Sequence, residues 1–101
     1  MTYITLNDAS FALQSYNRNT NFNGDNIDSS GYLYLIMNSN DTTTLYNIAK
    51  SMINTITIQD ESNNIIYSIE NAKAHILNIN ETFNGGDNTV TTSVNLQFTI
   101  E

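Results

Sequence analysis

The amino-acid sequence predicts an α+β domain in which one helix packs on a mainly antiparallel sheet. Apolar and polar residues alternate through most of the second half of the chain, a pattern typical of strands with one buried face. One stretch near the middle instead spaces its apolar residues as an amphipathic helix does. The chain of 101 residues has the size of one domain, residues 1–101, with one core.

Charge and composition narrow the classes of partner. The chain carries ten acidic residues against three Lys and Arg, a net charge of −7. Contacts with phosphate backbones or anionic lipid depend on basic side chains. We therefore expect a protein partner, with no nucleic acid and no membrane. The six Tyr and four Phe, together with many Ile, indicate a folded chain and not a disordered one.

The sequence has no cysteine, which excludes disulfides and thiolate ligands. Its N-terminus, MTYITLNDAS, lacks the basic region and apolar segment of a signal peptide. No apolar run approaches the ~20 residues that a membrane span requires. We expect a protein that is made in a cytoplasm and not secreted by a signal peptide.

Two short strands are predicted near the N-terminus, at YITL, residues 3–6, and FALQSY, residues 11–16. The next stretch, residues 17–30, is rich in Asn, Asp, Ser and Gly, which favour turns and loops. It partly resembles a calcium loop, but calcium loops begin with carboxylates and end on a bidentate Glu. Asn19 and Ser30 occupy those positions here. We interpret the stretch as a long loop and not as a cation site.

Residues 31–38 predict a strand that is apolar on both sides. Alternate positions form two sets, Tyr32, Tyr34 and Ile36 on one side and Leu33, Leu35 and Met37 on the other. Such a strand lies between two layers or is buried against another subunit.

The single helix follows Asp41, a good N-cap residue. The apolar residues after it share one helical stripe: Leu45, Ile48, Ala49, Met52 and Ile53. We expect the whole stripe, Met52 included, to pack on the sheet.

Two hairpins are predicted after the helix. Ile56 and Ile58 alternate with polar residues, and a polar turn at 60–64 leads to a returning strand that ends at Ile69. Residues 71–101 form a longer hairpin around the turn sequence NGGD. Its last strand is apolar at alternate positions: Val90, Val94, Leu96, Phe98 and Ile100, interrupted by Thr92.

The apolar parity changes within the first strand of that longer hairpin, from even to odd positions. Because a slip of one residue would turn the apolar set to the other face, we predict a β-bulge near His75–Leu77. We assign the order β-β-β-α-β-β-β. The sheet is expected to curl into a β-sandwich or open barrel with the helix closing one side.

The sequence offers no specific signal for catalysis, a cofactor or a metal. His75 is the only histidine, and we interpret it as a strand residue. Asp60 and Glu61 are paired acids in a turn, where solvation is the simplest interpretation. Phosphate-binding and nucleophile-elbow motifs do not occur. We predict that the protein is not an enzyme.

Residues 31–101 resemble small structural proteins of tailed bacteriophages, of the tail-tube, tail-hub and baseplate type. The resemblance rests on a strand, a helix, the segment TITIQDESNNIIYSIENAKAHILNI and the alternating strand TTSVNLQFTIE. It implies a virion protein assembled in the bacterial host cytoplasm. It also implies contacts with copies of itself or with other virion proteins, and no active site.

Two main hypotheses follow. The first is a non-enzymatic phage virion structural or assembly subunit, a tail or baseplate component that acts through protein–protein contacts. The alternative is a small acidic phage anti-defence inhibitor that occupies a basic nucleic-acid-binding surface of a host protein, which requires carboxylates clustered on one face. A carbohydrate- or surface-binding module is a third class, because Tyr and Asn suit a sugar site.

The predicted partner-binding residues are Phe22, Ile27, Tyr32 and Tyr34. The tyrosines offer broad amphipathic contact area, and Phe22 and Ile27 are apolar anchors in a polar stretch. The alternative is that Tyr32, Tyr34 and Ile36 pack under the helix and only the loop projects.

Overall fold

The computed structural model describes residues 2–22, 29–37, 42–70 and 72–100. Seven strands and one helix follow in the order β1 (Thr2–Leu6), β2 (Ala9–Phe22), β3 (Ser29–Met37), α1 (Thr42–Ala49), β4 (Ile56–Gln59), β5 (Ile65–Ile69), β6 (Ala72–Asn84) and β7 (Thr89–Ile100). The predicted class, mainly antiparallel sheet with one short helix, is confirmed.

All seven strands belong to one antiparallel sheet in the order β5-β4-β1-β2-β3-β7-β6. The predicted element order is wrong in one respect, because four strands and not three follow the helix. Each of the two predicted hairpins forms two separate strands, β4 with β5 and β6 with β7. The strands also form one sheet instead of the two packed sheets of a sandwich.

The sheet curls without closing. Ile53, three residues before β4, forms an isolated bridge with Ala74 of β6. The Ile53 amide donates to the Ala74 carbonyl at 2.9 Å, and the Ala74 amide donates back at 3.1 Å. Because β4 is second and β6 last in the sheet, this bridge requires strong curvature. The Ala72 amide also donates to the Asn54 carbonyl at 3.0 Å, but the described residues form no ladder there beyond the isolated bridge, so the sheet does not close.

The core lies on the concave side of the sheet, here called the inner face. Every strand contributes at least one buried apolar side chain, and α1 contributes Leu45. The buried apolar residues are Ile4, Leu6, Phe11, Leu13, Leu33, Leu35, Met37, Leu45, Ile53, Ile56, Ile58, Ile69, Ala72, Ala74, Val94, Leu96 and Phe98. Alternation along the strands therefore sorts apolar residues to one side, as period-2 patterning requires.

The helix is shorter than its apolar stripe predicts. It ends at Ala49, and the Lys50 and Ser51 amides donate to carbonyls three residues back, which tightens the last turn. The expected packing of Met52 is wrong, since 44% of the residue is exposed. Ile53 is fully buried, but it lies beyond the end of the helix, in the bridge to β6. The predicted N-cap, Asp41, lies outside the described residues.

The predicted loop at residues 17–30 is wrong at both ends, because residues 17–22 belong to β2 and residues 29–30 belong to β3. Residues 17–22 continue β2 and pair with β3, from Asn17 opposite Tyr34 to Phe22 opposite Ser29. Pairing with the full length of β3 outweighs the turn preference of the Asn residues, as tertiary context commonly does. Residues 23–28 lie outside the described residues.

The β6–β7 hairpin confirms the predicted bulge. The register shifts between Ile76 and Asn78, so Leu77 is the extra residue, and it is 54% exposed. The turn at residues 85–88 ends with Asn88 at φ 56°. Beyond the end of β3, residues 82–84 pair with residues 89–91 and with no other described residue. This part of the hairpin projects from the described sheet as an arm.

Candidate protein-contact surface

Strand β3 lies inside the sheet, paired with β2 on one side and β7 on the other. Its inner positions Leu33, Leu35 and Met37 are fully buried. On the opposite side, Tyr32 is 51% exposed and Tyr34 is 39% exposed. The alternative in which these tyrosines pack under the helix is therefore wrong.

Amide side chains flank both tyrosines on the neighbouring strands. Asn19 of β2 and Gln97 of β7 lie opposite Tyr32, one on each side. Tyr34 has Asn17 and Asn95 in the same relation. Neighbouring pairs in a sheet approach closely enough for their side chains to interact. The surface around the two rings is thus polar and uncharged.

We call this side of β2, β3, β7 and β6 the outer face. Register and alternation assign it the following residues: Ser15, Asn17, Asn19, Asn21, Ser30, Tyr32, Tyr34, Ile36, Ser93, Asn95, Gln97, Thr99, Lys73, His75, Asn78 and Asn80. The Asn95 side-chain amide donates to Asn78 Oδ1 at 2.7 Å and joins β7 to β6. No residue of this set carries a carboxylate.

Phe22 lies at the end of β2 and is 78% exposed. On the other half of the sheet, Ile65 and Ile66 at the start of β5 are 63% and 50% exposed. The register runs from Ile65 through Gln59 and Tyr3 to Ala12, so these isoleucines lie well away from Phe22, which pairs with Ser29. We call the end of the sheet where β2 ends at Phe22 the Phe22 end. Ile27, also predicted to bind a partner, lies outside the described residues.

An aromatic cluster connects β5 with β2. The Tyr16 and Tyr67 rings stack with centroids 6.2 Å apart and planes 17° from parallel. The Arg18 Cζ lies 4.6 Å from the Tyr67 ring centroid, within the range of a cation–π contact. These contacts join the edge strand β5 to the second half of β2, although the two strands are not neighbours in the sheet. Sequence reasoning did not find this cluster, because its members are far apart in the chain.

Gly31 allows β2 to approach β3 closely near the Phe22 end. A Cβ atom added at Gly31 would overlap the backbone carbonyl oxygen of Asn19. Only a residue without a side chain fits there, which explains a glycine within a fully paired strand.

The acidic turn between β4 and β5 is held together by a carboxylate. Asp60 Oδ1 accepts hydrogen bonds from the Asn64 amide at 3.0 Å and the Ser62 amide at 2.9 Å. The backbone bond from Asn64, followed by that from Ser62, holds the pKa of Asp60 below its usual range. Since these bonds favour the charged form, Asp60 has a local structural role.

The helix is tied to β6 by a second carboxylate. The Tyr46 hydroxyl donates to Glu81 Oε1 at 2.7 Å. This hydrogen bond raises the pKa of Tyr46, with smaller contributions from burial and the Glu81 charge. The bond holds α1 above the sheet at the base of the β6–β7 arm.

The described acidic residues are dispersed. Asp8, Asp60, Glu61 and Asp87 lie in turns between strands, Glu70 follows β5, and Glu81 lies on the inner side of β6. No group of three or more potential metal ligands occurs among the described residues. His75, the only histidine, is an exposed residue of β6 opposite Gln97. The described residues also include no helix with the length and hydrophobicity of a membrane span.

Comparisons with known proteins find no counterpart. No protein-family model matches the chain, and neither a curated protein nor a solved structure shows a significant match.

Proposed function

We propose that this chain is a non-enzymatic structural or assembly subunit of a phage virion, a tail or baseplate component that acts through protein–protein contacts. The observation that carries the proposal is the exposure of Phe22, Tyr32 and Tyr34. These residues occupy the Phe22 end and the outer face instead of the core. The resemblance of residues 31–101 to phage tail proteins supplies the virion assignment.

Tyrosine and phenylalanine contribute unusually much to protein interfaces. Their rings bury large areas, and a tyrosine hydroxyl also forms a hydrogen bond at the wet edge of a contact. Two tyrosines held on a fully paired central strand lose little conformational entropy on binding. Ile27 remains part of the proposed surface on sequence grounds alone.

Unpaired strand edges give the sheet a second means of contact. On β6, the bridge to Ile53 covers only the start of the strand, so one edge of residues 75–84 pairs with no strand among the described residues. Within the part of the chain that the structure describes, strand β5 pairs with β4 alone. Free edges are templates for adding a strand from another chain. A subunit that assembles in the host cytoplasm, with copies of itself or with other virion proteins, would use such edges.

The alternative function, an acidic inhibitor that occupies a basic nucleic-acid-binding surface, requires carboxylates on one face. The described acids occupy several turns and the inner side of β6. Their distribution favours the contact-subunit proposal.

Substitution of one exposed phenylalanine tests whether the Phe22 end contacts other virion proteins. Phe22→Ala should weaken incorporation into virus particles, because it removes an apolar side chain from the Phe22 end. Phe83→Ala is a matched control, since Phe83 is 64% exposed and lies on the β6–β7 arm, away from that end. Incorporation is measured by quantitative mass spectrometry of purified particles, alongside the free energy of unfolding of each variant.

The virion assignment has its own test. Tailed particles whose genome carries this gene should contain the chain at a fixed number of copies per particle. Purified particles that lack the chain would contradict the assignment.

A further inference from the structure

We infer that the outer face of β2, β3, β7 and β6 docks against the same face of a second copy of this chain, which forms a two-fold symmetric dimer. The inference rests on the proposed function and deepens it, because it names the partner of Tyr32 and Tyr34.

Electrostatics favours self-association through this face. Each copy carries a net charge of −7, so two copies repel one another in most orientations. The described acids all lie off the outer face, in turns, after β5 or on the inner side of β6. The outer face has no carboxylate, and its charged residue is Lys73 at one margin. Docking through the outer face therefore keeps the described carboxylates of both copies away from the centre of the contact.

The side chains of the outer face are complementary to themselves. A two-fold contact brings the same surface of both copies together, so every group must suit its own copy or a neighbour. Asn and Gln side chains each contain both a donor and an acceptor. The two tyrosines are surrounded by four such amides, Asn17, Asn19, Asn95 and Gln97. Two copies of this face can therefore form hydrogen bonds with each other without burying an unpaired charge.

The position of β3 gives the dimer a natural axis. β3 has β2 on one side and β7 with β6 on the other, so Tyr32 and Tyr34 lie inside the face and not at its margin. Faces of two sheets pack with strands within about 30° of each other. An axis near these tyrosines places β3 of one copy over β3 of the other and excludes water from the rings.

The size of the face is sufficient for a weak, specific dimer. Four strands ~4.8 Å apart and nine residues long at ~3.3 Å per residue cover roughly 600 Å². Two such faces bury at most about 1,200 Å² in total, the lower end of the range for specific interfaces, and less where the convex faces curve apart. The inferred dimer is thus expected to form at micromolar or higher concentrations.

Sedimentation velocity over a range of concentrations measures the dimer directly. The double variant Asn17→Asp with Asn19→Asp replaces two exposed amides of the outer face by carboxylates of the same shape. We expect its association constant to fall at least about tenfold, because four carboxylates then meet across the axis. The control, Asn47→Asp with Asn54→Asp, adds the same charge at exposed positions off the face and should lower association far less.

The dependence of wild-type association on ionic strength provides an independent test. Raising ionic strength from about 0.01 M to about 0.15 M shortens the Debye length from ~30 Å to ~8 Å. Wild-type association should strengthen over this range, since the repulsion between two copies of charge −7 is screened.

Two outcomes overturn the inference. One is a wild-type protein that stays monomeric at about 1 mM and at either ionic strength. The other is a dimer that the outer-face pair and the control pair weaken equally, which places the contact elsewhere. If either is found while Phe22→Ala still lowers incorporation into particles, this inference fails and the proposed function stands. Loss of that Phe22 effect would instead count against the proposed function.

Discussion

The two sides of β3 have similar apolar character in the sequence and opposite surroundings in the structure. Leu33, Leu35 and Met37 are fully buried on the inner face, whereas Tyr32 and Tyr34 are about half exposed on the outer face. Both sets are held by the same backbone pairing with β2 and β7. The strand therefore buries one side in the core and leaves the tyrosines of the other side, the proposed contact surface, partly exposed.

The difference has an energetic meaning. Burial of one large aliphatic side chain stabilises a fold by roughly 1.5–3 kcal/mol, so the inner side of β3 is a major part of the core. The outer tyrosines lose much less of their surface on folding. Their apolar area remains available for a partner.

The largest expected effect is that of Leu35→Ala. Removing a fully buried leucine from the centre of the sheet should lower the free energy of unfolding by about 2–5 kcal/mol, because lost transfer energy and a cavity add together. Chemical denaturation measures the change. The adjacent Tyr34→Ala is the matched comparison on the other face and should change the free energy by no more than about 1 kcal/mol. Equal losses at the two positions would remove the distinction between the faces.

A smaller effect of opposite sign is expected at Thr92. This residue is fully buried on the inner face of β7, and its Oγ1 has no hydrogen-bond partner among the described residues. Thr92→Val removes a buried, unpaired hydroxyl and should raise the free energy of unfolding by about 1 kcal/mol. The control Thr91→Val lies on the opposite side of β7, where a change within about 0.5 kcal/mol is expected. Destabilisation by Thr92→Val would indicate that the hydroxyl is satisfied in solution.

The smallest effect concerns pH and the β4–β5 turn. The pKa of Asp60 is lowered by hydrogen bonds from the Asn64 and Ser62 amides. Its charged form therefore stabilises the fold above the ordinary aspartate pKa of about 3.9, and that contribution is lost as pH falls through the lower folded pKa. Wild type should lose stability on acidification more steeply than Asp60→Asn, as measured by denaturation at neutral and acidic pH. Identical pH profiles would show that these bonds do not favour the carboxylate.

Regular alternation explains why much of the fold could be predicted from the sequence. The last strand and its turn, the bulge beside Leu77 and the hairpin around Asp60 all follow from period-2 patterning and turn chemistry. The extension of β2 through residues 17–22 could not be predicted in this way, because pairing with β3 overrides the turn preference of asparagine. The bridge between Ile53 and Ala74 depends on sheet curvature, which local sequence does not encode.

The candidate surface was predictable in part. The doubly apolar strand identified Tyr32 and Tyr34 as residues of interest, but alternation alone does not say which side a core covers. The stacking of Tyr16 and Arg18 on Tyr67 involves residues about 50 positions apart, so no local pattern indicates it. Likewise, the absence of carboxylates from the outer face becomes visible only when four strands are aligned in register.

The most direct test of the central claim is a paired measurement on Tyr32→Ala with Tyr34→Ala. Association is followed by sedimentation velocity, and the free energy of unfolding by chemical denaturation of the same samples. If the outer face of β3 serves contacts, association should be lost while the free energy of unfolding stays within about 1–2 kcal/mol of wild type. If the double variant instead unfolds readily, and association falls only in proportion to the folded fraction, the tyrosines serve the fold and the account is contradicted.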